Sequence, residues 1–372
     1  MTQSAYKPFP KPSISSDAAI EPKRLQLGIR PAVFFILIGV LLTLFVVRLA
    51  VGSVTIPIED IVKVLMGGEA SKSTWTHIVL NFRVPRAITA ILAGAALSVS
   101  GLMMQTLFRN PLAGPFVLGI SSGASLGVAL VVLTTGSIGG ALLTSVGLRG
   151  EMGIAFAASV GAGVTMTLVL LVARNVQSSV TLLILGLMFG YLTGAAVSLL
   201  FYFAVPEQIR SYLDWTFGSF DGVTWNEMRI LAPTVLAGLA ITFTLSKSLN
   251  ALLLGEQYAQ SMGVNIQQAR FAIVTATALL AGSVTAFCGP LAFIGIATPH
   301  LSRCLLNTSD HRVLIPATIL MGGIVALGTA MIAQVPGSET ILPLNPVMAF
   351  TGAPIVIWVI IRQRSLHKSF GS

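Results

Sequence analysis

The chain has 372 residues, 54% hydrophobic and only 9% charged, with a mean hydropathy of +0.87 and a formal net charge of +9. Soluble domains carry about 25% charged residues. No soluble fold can hide this much apolar surface, so the composition excludes a water-soluble protein and makes a bilayer the solvent.

Residues 1–30 are polar, contain Pro and Ser, and lack an apolar core. They read as a disordered cytoplasmic tail, too long and too polar before Ala32 for a signal peptide. A spanning helix needs about 20 apolar residues. Ten candidate spans follow, at about 32–51, 87–107, 116–135, 152–173, 180–204, 230–246, 271–287, 289–303, 313–334 and 346–361. The fold class is therefore an all-α integral membrane protein. Residues 31–364 form one polytopic domain, and residues 365–372 form a short C-terminal tail. The eighth span is short and rich in Gly and Pro, as expected of a half-helix or re-entrant segment. With the N-terminus inside, 14 of the 22 basic residues fall on the cytoplasmic side, against 4 of the 13 acidic ones. That is the asymmetry of the positive-inside rule. The even number of spans returns the C-terminus to the cytoplasm. The +9 charge thus reflects topology, not a nucleic-acid footprint.

Several rows of small residues recur at four-residue spacing. They are Ala90, Gly94 and Ser98; Gly119, Gly123 and Gly127; and Gly186, Gly190 and Gly194, continued by Ser198. Residues four apart share a helix face, and small side chains let backbones approach closely. Packing inside one subunit accounts for most of these rows. A weak internal repeat relates Pro111-Leu112-Ala113, followed by Phe116 and Gly119, to Pro290-Leu291-Ala292, followed by Phe293 and Gly295. Cys288 and Cys304 lie in or beside apolar segments and read as packing residues. No Asp or Glu lies deep in any span, unlike the usual proton- or sodium-coupled carrier. The chain has no Gly-x-x-x-x-Gly-Lys-Ser/Thr phosphate loop and no His/Cys/carboxylate cluster with metal-ligand spacing. His300, after Pro299, reads as a structural hydrogen-bonder. The chain has the character of a passage whose energy comes from another subunit, and not of an enzyme.

The most informative stretch is Arg83 to Gly127. Arg83-Val84-Pro85-Arg86 leads into apolar sequence, which breaks at Arg109-Asn110-Pro111 and resumes with Gly119, Gly123 and Gly127. Pro85 is well placed to open a helix. Two arginines at a positive helix N-terminus point to a negative partner outside it. This stretch resembles the iron-siderophore, haem and vitamin B12 permeases of bacterial ABC importers. That family carries Arg-x-Pro-Arg, Ala-Gly-Ala-Ala-Leu-x-x-Ser-Gly, Arg-Asn-Pro-Leu-Ala and Leu-Gly-x-Ser-x-Gly-Ala in this order. A second block agrees: Gly289 to Gly295, Pro299 to Arg303, and Asp310-His311-Arg312. The resemblance covers about residues 33–362.

The resemblance implies a multi-pass protein of the bacterial inner membrane. Two copies would form the pathway, two ATPase chains would bind below, and a substrate-binding protein would bring cargo from above. ATP and Mg would sit on the ATPase, with no cofactor or metal held by this chain. Ferric siderophore is the first expected cargo, with haem and vitamin B12 as rivals. Residues 252–265 hold apolar positions at Leu253, Leu254, Tyr258 and Met262, enough for a short amphipathic helix, and a small-residue ridge at Gly255, Ala259 and Gly263. The resemblance makes Leu254, Gly255, Ala259, Met262, Gly263 and Val264 the segment that docks in a groove of the ATPase. It makes Arg83 and Arg86 the docking point for carboxylates of the binding protein, against the plain reading of headgroup anchoring. Where the family often adds an arginine at the end of the ninth span, this chain has Gln334, and the loop from Val335 to Pro343 differs. Ser178 and Ser179 stand where the family narrows the cytoplasmic gate; helix capping is an equal reading. The span carrying Gly186, Gly190 and Gly194 is expected at the dimer interface and pathway.

Overall fold

The computed structural model describes residues 31–52, 54–134, 150–173, 179–334 and 342–369. The expected N-terminal tail, the gate residue Ser178 and most of the 335–343 loop lie outside the described residues. The first helices are α1 (Pro31–Ala50), α2 (Ile58–Leu65), α3 (Ser73–Ile78), α4 (Val84–Leu107) and α5 (Ile120–Val132). Then come α6 (Glu151–Ala173), α7 (Ser179–Phe203), α8 (Pro206–Phe217), α9 (Trp225–Thr244), α10 (Ser246–Leu253) and α11 (Glu256–Ser261). The last four are α12 (Ile266–Cys288), α13 (Ile294–Leu306), α14 (His311–Ala333) and α15 (Leu344–Ser369). Seven helical runs among the described residues are long and apolar enough to cross a membrane: α1, Ser73–Leu107, α6, α7, α9, α12 and α14. Each of the ten expected spans has a helix. α9 and α12 begin five residues earlier than hydropathy alone suggests, because polar caps extend them. The Thr224 hydroxyl accepts from the Asn226 amide, and the Asn265 side chain accepts from the Gln268 amide, which satisfies otherwise orphaned helix donors. α15 continues to Ser369, past the boundary expected at 364, since Arg362, Gln363 and Arg364 favour helix.

α4 is the axis of the fold. It is buried from Ala93 to Leu107 without interruption, with α14, α12, α13, α9 and α1 packed around it. Its composition explains the position. A Cβ on Gly94 would stand 2.1 Å from the Gly322 carbonyl oxygen of α14, and one on Gly101 would stand 1.6 Å from that of Gly295 on α13. Only glycine lets these backbones touch. The buried hydroxyls of Thr89 and Ser100 donate to carbonyls four residues back, so the apolar interior holds no unpaired donor from them. The row of Gly123 and Gly127 meets Gly161 and Ala157 of α6 in the same way. These rows are packing devices within the chain.

The eighth span is a half-helix. Gly289 to Phe293 is non-helical, and α13 has 13 residues. Pro290 cannot continue α12. Gly289, at φ 75°, turns the chain; the Cys288 carbonyl accepts from the Ser219 amide, and the Ala292 amide donates to Asn345 Oδ1. The matching Pro-Leu-Ala break at 111–113 likewise precedes a 13-residue helix, α5. The first break packs on the start of α13, with Gly114 against Ile296 and Pro115 against Gly295. The repeated motif therefore marks two like interruptions, one of which packs on the helix that follows the other.

Candidate functional site

The segment from Ser73 to Leu107 is one continuous helical run. Pro85 stands in the first turn of α4 as expected, but helical backbone already runs into it from Ser73, so Arg83 and Arg86 do not sit at a free helix N-terminus. Proline removes a backbone donor and presses on the carbonyl four residues back. The chain accommodates it with a π turn at Val79–Arg83. The Leu80 carbonyl in that turn accepts from the Trp225 indole.

Arg83 points inward and is 8% exposed. Its guanidinium donates to the carbonyls of Leu49, Ala50 and Val54. It thereby satisfies the end of α1, where backbone acceptors lack helical partners. Arg86 is more open, pairing with Asp221 at 3.0 Å and lying over the Phe82 ring. Arg48 also reaches this place, by donating to the Gln334 side chain. Arg48, Arg83, Arg86 and Gln334 line one cleft of ≈ 200 Å³ with Val54 and Phe82. The motif signalled Arg83 and Arg86; Arg48, on another helix and in no motif, was missed. Only the fold brings it to Gln334.

The two arginines separate in their expected effects. Arg83→Ala should lower the thermal unfolding midpoint of the detergent-solubilised chain, because it takes the guanidinium from the buried Leu49 carbonyl, a loss of about 1–3 kcal/mol, while the Ala50 carbonyl keeps the Ile56 amide. Arg86→Glu should leave that midpoint nearly unchanged, since a partly exposed ion pair contributes about 0–1 kcal/mol.

The second site lies at the other end of α4, about 35 Å away for 24 residues at 1.5 Å each. α10 and α11 do not form a single amphipathic helix. Gly255, at φ 108°, breaks them, and Gly263, at φ 82°, ends the second. Gly255 and Ala259 are buried against the body of the chain, with Arg109 beside Gly255, whereas Gly263, the third member of the small-residue row, is exposed. The outward face carries Leu254, Tyr258 and Met262, which are 60%, 68% and 57% exposed. Val264 is half-buried, its amide bonded to the Ala259 carbonyl. Arg270 of α12 holds Glu256 of α11 at 2.8 Å. A cleft of ≈ 590 Å³ beside this segment is lined by Glu256, Gln257, Gln260, Asn265 and Arg270.

The neighbouring residues are locked by hydrogen bonds. His300 Nε2 donates to the Pro111 carbonyl at 2.8 Å, so this histidine is the structural bonder expected. Arg303 donates to Gln105 Oε1, whose amide donates to the Ile296 carbonyl. Burial opposes charge on Asp310, yet the Arg312 amide, Asn250 and the Arg312 charge hold its carboxyl below the usual range. Among the described residues no three His, Cys, Asp or Glu side chains are grouped as metal ligands would be.

The third row divides along α7. Gly186 is buried against the Val117 carbonyl, a Cβ on Gly190 would stand 3.5 Å from Ser122 Oγ, and Gly194 faces open space. Leu187, Tyr191, Leu192, Leu199 and Tyr202 are all more than half exposed on the same helix. Ser179 is the first residue of α7; its side chain, like Ser178, lies outside the described residues.

An all-helical, multi-pass chain with apolar membrane faces, a basic cleft at one end and an exposed hydrophobic knob at the other defines an integral-membrane transport protein. The profile of the FecCD transport family matches residues 40–362, and the chain belongs to that family. It is 34% identical over 331 residues to the hemin transport system permease protein HmuU of Yersinia pestis, covering 88% of this chain and 96% of that one. It is 35% identical over 298 residues to the vitamin B12 import system permease protein BtuC of Klebsiella pneumoniae, covering 80% and 86%. A solved metal-chelate type ABC transporter in an inward-facing conformation superposes with a TM-score of 0.77 at 27% identity, covering 89% of this chain and 99% of that one.

Proposed function

We propose that this chain is the membrane-spanning permease subunit of an ATP-driven importer in the bacterial inner membrane, carrying a chelated metal. Ferric siderophore is the first cargo to test, with haem and vitamin B12 beside it, since the relatives named above carry the latter two. The observation that carries the reading is the exposed row of Leu254, Tyr258 and Met262, on a segment braced by Ala259 and Arg270. A short helix with an apolar outer face is suited to a groove on another protein, here the ATPase that binds ATP and Mg. A substrate-binding protein would dock at the far end through Arg86 and Arg48, with Arg83 bracing the cleft. Charge complementarity there would set orientation and on-rate. Alternating access would follow from ATP-dependent shifts in the populations of two states.

The test is uptake into proteoliposomes holding this chain, its ATPase and its binding protein, with each of the three cargoes supplied separately. ATP-dependent accumulation of one names the cargo. Accumulation without any ATPase would replace the reading with a secondary carrier.

The open face of α7 supports a homodimer with this helix beside the two-fold axis. Gly194→Cys, in a chain also carrying Cys304→Ser to remove the exposed native thiol, should crosslink to a dimer on mild oxidation in native membranes. Gly163→Cys on α6, also in open space, should not.

A further inference from the structure

The cytoplasmic end of the fold contains a connected line of side chains that the function proposed above does not use. Asn250 lies on α10, next in sequence to the coupling segment. Its Nδ2 donates to Asp310 Oδ1 at 2.6 Å. A carboxylate is acceptor-only, so this contact fixes the amide orientation and turns Oδ1 towards His311. That oxygen meets the His311 amide and the His311 Nδ1, both at 2.8 Å. The ring must therefore carry its proton on Nδ1. Nε2 is then left to accept from the Thr106 hydroxyl, 2.8 Å away. His311 is fully buried and Thr106 is 2% exposed. One line thus joins α10 to the first turn of α14 and the last turn of α4.

Its position gives it a consequence. α4 and α14 touch backbone to backbone at Gly94 and Gly322, and packed interfaces of this kind shift as units because they do not deform continuously. A displacement entering at His311 and Thr106 is delivered to both helices together. α4 then carries it along its length to Arg86. Apolar contacts between α10 and these helices can slide, whereas a hydrogen-bonded line with a fixed tautomer resists it.

We propose that Asn250, His311 and Thr106 are positioning residues that transmit movement of the coupling segment to α4 and α14, so that ATP turnover moves cargo. This rests on the importer reading above. The test uses the complete importer in proteoliposomes and measures complex assembly, ATP hydrolysis and cargo accumulated per ATP. Thr106→Val keeps the shape and removes the hydroxyl. It should assemble and hydrolyse ATP near the wild-type rate, while cargo per ATP falls at least about fivefold, the scale of a typical coupling free energy. Thr106→Ser should restore it. Asn250→Ala should reproduce the loss from the other end of the line and serves if the valine variant folds poorly. Unchanged cargo per ATP in Thr106→Val and Asn250→Ala would overturn the proposal. So would a loss of assembly with cargo per ATP intact, which would make the line merely structural. If the wild-type chain fails to assemble with the ATPase, the importer reading itself fails, and the proposal with it.

Discussion

Gly101→Ala should yield almost no monodisperse protein on extraction and gel filtration, and what survives should unfold at a much lower temperature. The added Cβ would stand 1.6 Å from the Gly295 carbonyl oxygen and 2.5 Å from its carbon. No rotamer change relieves a clash between backbone atoms. α4 and α13 would have to part, and with them the contact of Pro115 with Gly295. Overpacking in a close-packed core typically costs about 1–3 kcal/mol, and a clash with immobile backbone belongs at or above the top of that range. Gly163→Ala is the control, because its Cβ meets nothing within 4 Å and it lies on α6, away from the proposed dimer face. It should extract and unfold as the parent chain does. Equal loss in both variants would show that glycine matters here through backbone freedom and not through close approach.

Leu254→Asp and Met262→Asp should each abolish assembly with the ATPase while leaving the isolated chain folded. Both side chains are more than half exposed, so neither substitution opens a cavity. Each would put a charge on the apolar face that the proposed groove must bury. Loss of a central interface residue costs about 2 kcal/mol or more, which is about 30-fold in affinity. Co-purification of the two chains and ATP-driven uptake should fall together. Gln257→Ala, exposed on the same segment, should have little effect. Assembly of both aspartate variants at wild-type strength would move the docking surface away from this face.

Much of this was legible from local sequence. All ten apolar spans became helices, because a span in lipid has to satisfy its backbone internally whatever surrounds it. The half-helix at 294–306 was visible because Gly289 and Pro290 break the chain without any tertiary help. His300 was read correctly as a structural bonder, although its acceptor, Pro111, is 189 positions away. The rows through Gly94 and through Gly123 and Gly127 were also legible as packing faces, since that periodicity belongs to the helix itself.

The errors came where a local rule met a tertiary demand. Pro85 reads as a helix start and does open α4, but a π turn joins it to the helix before, so no free N-terminus is there for the arginines. Arg83 reads as an outward cation, yet it faces the carbonyls at the end of α1, some 30 residues earlier in the chain. The small-residue row of Gly255, Ala259 and Gly263 reads as one ridge, but its first two members lie against the chain's own body and only Gly263 is exposed. Arg48 carried no motif and gained its place only through Gln334. By itself, the sequence determined that the chain is a helical membrane protein, where its helices break and which faces are small enough to touch. Those properties depend on the backbone and its nearest neighbours along the chain. Only the tertiary structure decided which way each charged side chain points, because burial of a guanidinium depends on acceptors brought from distant segments.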